Sequence, residues 1–155
     1  MRTMVTHIQG VQVIPKRKIS DDRGAIFHML RRDDSEFGQF GEIYFSKVYP
    51  GAVKAWHLHH KMTLNYFVVV GAIRLVLFDD RAQSSTRGMT EELYPDEYTG
   101  QLVVVPPLVW NGFRGLGPTS SIVANCATEP HDPLEISRRP FDDAFFGYDW
   151  SQRNG

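Results

Sequence analysis

Gly51-Ala-Val-Lys54-Ala-Trp56-His57-Leu-His59-His60, followed by a β-branched run that ends at Gly71, decides how this chain is read. Residues 53–59 form an extended-strand pattern, and residues two apart on a strand share a face. His57 and His59 therefore point to one side, and His60 to the other. Around this stretch the chain is a series of short apolar runs: 11–14, 25–29, 42–48, 65–70, 73–78, 101–105 and 121–126. Most are rich in β-branched or aromatic residues. Asp22-Arg-Gly24, Pro50-Gly51, Gly71, Asp79-Asp80, Gly100, Pro106-Pro107 and the segment 115–118 separate them as turns. Short strands at regular spacing predict an all-β sandwich or barrel. Residues 66–78, bent at Gly71, read as a tight hairpin. Helix is scarce: one turn fits 132–137, and a short C-terminal one fits 141–147.

At 155 residues the chain is long enough for a sizeable core, and the length prior gives one domain over 1–155. Its 42% hydrophobic and 23% charged residues are those of a globular protein, which argues against disorder. A net charge of −1 with scattered basic residues gives no attraction to nucleic acid. The basic run Lys16-Arg17-Lys18 reads as a solvated loop. Cys126 is the lone cysteine, so no internal disulfide forms and a buried thiol in a reducing compartment is expected. No secretory leader or membrane span is apparent, which predicts a cytoplasmic protein.

The spacing Gly51…His57-x-His59…Gly71 resembles half of the metal site of the small β-barrels called cupins. Leu64 stands where that pattern has Glu, and in its second half, after Gly100 and Pro106, Asn111 stands where it has His. With two of four ligands gone, the remaining pair of imidazoles is a poor divalent-ion site, and no metal is expected.

Over most of its length the chain resembles the dTDP-4-dehydrorhamnose 3,5-epimerase family. Asp21-Asp22-Arg23-Gly24 is similar to that family's Asp-x-Arg-Gly, and Lys54-Ala-Trp-His57 to its Arg-Gly-Leu-His. Asp79-Asp80-Arg81 with Ser84-Ser-Thr86-Arg-Gly88 resembles its Asp-x-Arg…Ser-x-Thr-x-Gly, and 106–113 its Pro-x-Gly-x-x-His-Gly-Phe. Asp143 lies seven residues before Trp150, as the family's dyad aspartate lies before its tryptophan. The resemblance implies a cupin-type jelly-roll β-barrel with short C-terminal helical segments. It also implies a homodimer in which Arg23 serves the neighbour's site, and a nucleotide-diphospho-4-keto-6-deoxy sugar as substrate. The departures are specific. A family lysine falls on Leu64, and its proton-donor tyrosine falls on Ala124 or Asn125. A glutamine becomes His59, and a glutamate becomes His28.

A ketone at C4 acidifies the hydrogens on C3 and C5, because the carbanion left behind is delocalised as an enolate. Epimerisation then needs a base, an acid on the opposite face and a donor to the oxygen, with no cofactor. The resemblance assigns His57 as base and Asp143, or Asp142 one residue earlier, as its orienting carboxylate. His59 is a hydrogen-bonding partner for His57, a donor to the 4-keto oxygen, or a second base. Tyr44, Tyr66 or a water supplies the missing acid. Arg23, Lys54 and Arg74 are candidates for the diphosphate. Asn111 satisfies a backbone group or holds a sugar hydroxyl, and Trp56, Phe27, Trp110 and Phe113 either pack in the core or offer a face to the nucleotide base. A nucleotide-sugar 3,4-ketoisomerase, which uses a His-x-His pair, and a non-catalytic sugar-nucleotide-binding cupin are the rival readings.

Overall fold

Residues 6–151 are described by the computed structural model, and the strands within them are β1 (Gln12–Pro15), β2 (Lys18–Asp21), β3 (Gly24–Phe27), β4 (Glu42–Val48), β5 (Val53–His59), β6 (Leu64–Val70), β7 (Ala72–Asp79), β8 (Thr90–Leu93), β9 (Gln101–Val105), β10 (Val109–Leu116), β11 (Ser121–Ala127) and β12 (Ile136–Arg138). One sheet runs β1-β9-β6-β11-β4 and the other β12-β5-β10-β7-β8, while β2 and β3 form a separate hairpin. Every strand ladder is antiparallel. Two facing five-stranded sheets make the jelly roll, so the expected all-β cupin-type barrel is the fold. The helical segments are single 3-10 turns, Pro133–Glu135 and Ala144–Phe146. Among the described residues no helix is long and apolar enough to cross a membrane.

The core follows from strand alternation. Between the sheets lie Leu64, Tyr66 and Val68 of β6, Leu75 and Leu77 of β7, Val103 and Val105 of β9, and Val109 and Phe113 of β10. A second cluster covers the outer face of the β5-β10-β7 sheet. There Trp56, Leu58, Val76 and Trp110 meet Phe146 and Trp150 from the C-terminal segment. Trp56 stacks on Phe146 with ring centroids 4.1 Å apart. Aromatic pairs of this kind contribute about 0.5–1.5 kcal/mol beyond their buried area. The third cluster, with Ile14, Phe67 and Leu102, lies under Phe27, Met29 and Leu30.

Two sequence expectations are corrected here. Residues 66–78 are not a hairpin: β6 pairs with β9 and β11, whereas β7 pairs with β8 and β10. Gly71 is instead the corner where the chain passes from one sheet to the other. Its φ of +80° lies in the left-handed region, and a Cβ there would come within 2.4 Å of Ser121 Oγ. Lys16 is no solvated residue either. Its ammonium is buried and donates to Asp34 Oδ2 at 2.8 Å and Glu36 Oε1 at 2.7 Å.

Candidate active site

Between the sheets the barrel opens into a cavity of about 240 Å³. Glu42, Tyr44 and Ser46 line it from β4, and Lys54, His57 and His59 from β5. Tyr66, Met62 and Phe113 form its floor, and His131, Ile136 and Arg138 its C-terminal wall. Alternation explains Tyr44 and Ser46, which share a face with the buried Val48, and likewise the paired His57 and His59. Lys54 is three residues from His57 and would face outward on a regular strand. The β5–β10 ladder sets Asn111 opposite His57 but Phe113 opposite Lys54. β5 thus carries one extra residue, and this bulge turns Lys54 inward. Its Nζ donates to Ser46 Oγ at 2.9 Å.

His57 is held neutral. Burial opposes its charged form, and the positive groups of Arg138, His59 and Lys54 add to the effect, bringing its pKa down to about 4. A neutral imidazole facing a cavity has a lone pair ready to take a proton.

The carboxylate partner in this cavity belongs to the other histidine. His59 Nδ1 is hydrogen-bonded to Glu135 Oε1. Glu135 Oε2 accepts from the backbone N–H groups of Lys61 at 3.0 Å and Met62 at 3.2 Å. Burial alone would raise the Glu135 pKa, but these hydrogen bonds outweigh it and hold the carboxyl below its usual range.

Asp143 does not meet His57. It caps the turn Ala144–Phe146, accepting from Phe145 N at 2.9 Å, and lies 3.8 Å from Arg139 Nε. That turn packs through Phe146 onto Trp56, which points outward where its neighbour His57 points inward. The barrel wall separates the two, and the expected pairing is corrected accordingly.

Other candidates are also elsewhere. Arg74 alternates outward on β7, donates to the Trp150 carbonyl at 2.6 Å, and lies 5.7 Å from the Tyr148 ring centroid and 5.8 Å from that of Trp150. It holds the C-terminal segment rather than facing the cavity. Trp110 lies on the same outer face, in a separate hollow of about 660 Å³ with Leu58, Leu108 and Arg81. Arg23 sits on the exposed β2–β3 hairpin, paired with Asp21 at 2.7 Å. Asn111 is buried, accepting from Tyr66 Oη at 3.0 Å and donating to the His57 carbonyl at 3.2 Å. The Asp79…Thr86 motif folds on itself: the buried Asp79 carboxylate accepts from Arg81, Ser84 and Thr86. It is a structural knot that orders the loop after β7.

Comparison with known proteins bears directly on this architecture. The family model described as dTDP-4-dehydrorhamnose 3,5-epimerase matches residues 5–154. The chain belongs to that family. The spore coat polysaccharide biosynthesis protein SpsL of Bacillus subtilis is 36% identical over 146 residues, covering 93% of this chain and 97% of that protein. The probable low-salt glycan biosynthesis epimerase Agl13 of Haloferax volcanii is 33% identical over 149 residues, covering 94% and 96%. The crystal structure of a dTDP sugar isomerase from Desulfovibrio desulfuricans G20 superposes with a TM-score of 0.93 at 39% identity, over 97% of each chain. Family membership and these relatives make the protein an isomerase of the sugar-epimerase kind.

Sequence reasoning missed Glu42, Ser46, Met62, His131 and above all Glu135. Glu135 comes from a three-residue turn just before the three-residue strand β12, which pairs with β5 and sets Ile136 opposite His59. Elements that short carry no periodicity. The one local signal was Asp132-Pro133, which starts the turn, with Asp132 accepting from Leu134 N at 3.0 Å.

Proposed function

We propose that the protein is a cofactor-independent epimerase of a nucleotide-diphospho-4-keto-6-deoxy sugar, acting at C3, C5 or both. The observation that carries this reading is a neutral imidazole, His57, facing a cavity of sugar-ring size with the cations Lys54 and Arg138 in its lining. A cavity of about 240 Å³ encloses a pyranose ring and leaves the nucleotide outside. The similarity to a protein described as a dTDP sugar isomerase supports thymidine as the nucleoside.

His57 takes the hydrogen from the carbon beside the ketone, and the C–H electron pair moves into the enolate. The positive charges of Lys54 and Arg138 favour the enolate oxygen and the diphosphate. A second group then returns a proton to the other face. His59, whose Nδ1 is held by Glu135, is the cavity's second imidazole.

Two imidazoles in one cavity also suit a 3,4-ketoisomerase, and the product separates the two reactions. The protein is incubated with dTDP-4-keto-6-deoxyglucose in deuterated water and followed by NMR. Deuterium at C3 or C5 with inversion is expected, and His57→Asn abolishes the uptake. A ketone moved to C3 overturns the epimerase reading in favour of ketoisomerisation, and no exchange at all favours a binding protein.

We further place the active form as a homodimer. Ile43, Phe45 and Val69, each 44–65% exposed, lie together on the outer face of the β4-β11-β6 sheet, beside a hollow of about 300 Å³ with Phe27 and Met29. Exposed apolar groups gathered on one sheet face suit a second copy of the chain. The free thiol of Cys126 suits a reducing, cytoplasmic setting.

A further inference from the structure

Two tyrosines line the cavity, and each is hydrogen-bonded to a buried asparagine, but with opposite polarity. The difference follows from groups whose donor and acceptor roles are fixed. Asn111 Nδ2 donates to the His57 carbonyl, which can only accept, so Asn111 Oδ1 faces Tyr66 and takes its hydroxyl hydrogen. Tyr66 is buried and its proton is committed. Asn125 is set the other way round. Its Oδ1 accepts from the Asn65 backbone N–H at 2.9 Å, which can only donate, so its Nδ2 faces Tyr44 and donates to the phenol oxygen at 3.1 Å. Tyr44 therefore receives a hydrogen bond without giving one, and among the described residues its hydroxyl hydrogen has no acceptor. Tyr44 belongs to β4 and His57 to β5, so the two approach the cavity from opposite sheets.

We propose that Tyr44 is the proton donor that completes inversion, delivering its hydroxyl hydrogen to the face of the enolate opposite His57. The inference rests on the epimerase reading and deepens it. The step balances. His57 takes the proton from one face as the C–H pair enters the enolate. The enolate carbon then forms a new C–H bond with the Tyr44 proton as the phenol O–H bond breaks. The phenolate regains a proton and the imidazolium returns one, both through solvent, so the net reaction is an isomerisation. Burial keeps the Tyr44 phenol above its ordinary pKa, so it enters the step protonated, while the Asn125 amide and the charge of Arg138 favour the phenolate that results. The Ala124–Asn125 position, where the family resemblance sets the donor tyrosine, is on β11, and Asn125 is the direct ladder partner of Tyr44. A phenol on the neighbouring strand thus occupies this side of the site, with the asparagine as its positioning residue.

The test uses Tyr44→Phe with dTDP-4-keto-6-deoxyglucose in deuterated water, scoring exchange and inversion separately, with a thermal melt to verify folding. Exchange that continues with retained configuration, and inversion at least tenfold below wild type, is the expected result. Tyr98→Phe, which alters an exposed phenol outside the cavity, is expected to keep the wild-type ratio of inversion to exchange. Inversion by Tyr44→Phe at the wild-type ratio overturns the proposal, and so does loss of exchange and inversion together in a folded variant. If the unaltered protein exchanges no hydrogen, the epimerase reading itself fails, and that outcome is distinct from either of these.

Discussion

His59 Nδ1 is hydrogen-bonded to the carboxylate of Glu135, 76 residues further along the chain, and the other oxygen of that carboxylate takes two backbone N–H groups. A carboxylate that only accepts fixes the imidazole as the Nδ1–H tautomer and leaves Nε2 as the variable nitrogen.

Glu135→Gln keeps the shape but has one acceptor oxygen. If that oxygen stays with Lys61 and Met62, the amide group faces His59 and drives its proton to Nε2. The expected outcome is a switch of the His59 tautomer in long-range 15N–1H NMR spectra, with a loss of about 1–3 kcal/mol in urea unfolding. An unchanged tautomer with unchanged stability removes the orienting role of Glu135.

The depressed pKa of His57 sets two pH dependences. Above 6.5, its ordinary value, the imidazole is neutral in both folded and unfolded chains and its contribution to stability is fully present. As pH falls from 6.5 towards about 4, the unfolded chain binds a proton that the folded chain refuses, and stability is lost. The loss from this group is roughly 3 kcal/mol once pH is below both values. Unfolding followed at about pH 7 and about pH 4.5 is expected to show a steeper decline for the wild type than for His57→Asn. In the same way, the acid limb of kcat/KM is expected near 4 rather than 6.5. A limb at 6.5 means that His57 is not the base or is not held neutral.

The placement of Asp143 gives a contrasting expectation. Its carboxylate caps the turn that packs Phe146 against Trp56, on the outer side of the sheet from His57. Asp143→Ala is expected to cost ~1 kcal/mol of stability, the usual effect of losing a cap. Deuterium uptake into substrate then continues at the wild-type rate. A collapse of that uptake in a folded variant restores a catalytic role to Asp143.

These contrasts show which parts of the protein were legible in its residues. Strands β4, β5 and β9 match the expected boundaries at 42–48, 53–59 and 101–105, because β-branched runs between turn residues leave little choice. The central strand β10 is not legible, since Gly112 and Gly115 break its apolar pattern. Gly112 is required there by close approach: a Cβ would lie 2.3 Å from that of Ala55 on the paired strand. The inward pairing of His57 and His59 was readable from alternation alone. Lys54 also faces inward, but its family match had suggested a site role while strand periodicity opposed it, and only the bulge reconciles the two. The partner of His59 was not readable, because a carboxylate on a three-residue turn reaches the site through long-range pairing of β12 with β5.

Arg23 offers the sharpest test of the proposed dimer. Its side chain is 86% exposed, bonded to Asp21, and carried on a hairpin that lines no part of the His57 cavity in its own barrel. If the hairpin serves the neighbour, a site needs His57 from one copy and Arg23 from the other. Arg23→Ala and His57→Asn are then each inactive alone but complement each other when mixed under conditions that exchange subunits. Half of the dimers become heterodimers with one intact site each, so about a quarter of wild-type activity is expected to return. Phe45→Glu, which charges the exposed sheet face, is expected to halve the mass seen by light scattering and to abolish this complementation. Activity of the Arg23→Ala homodimer at the wild-type level, or a wild-type protein that runs as a monomer, shows instead that each barrel works alone.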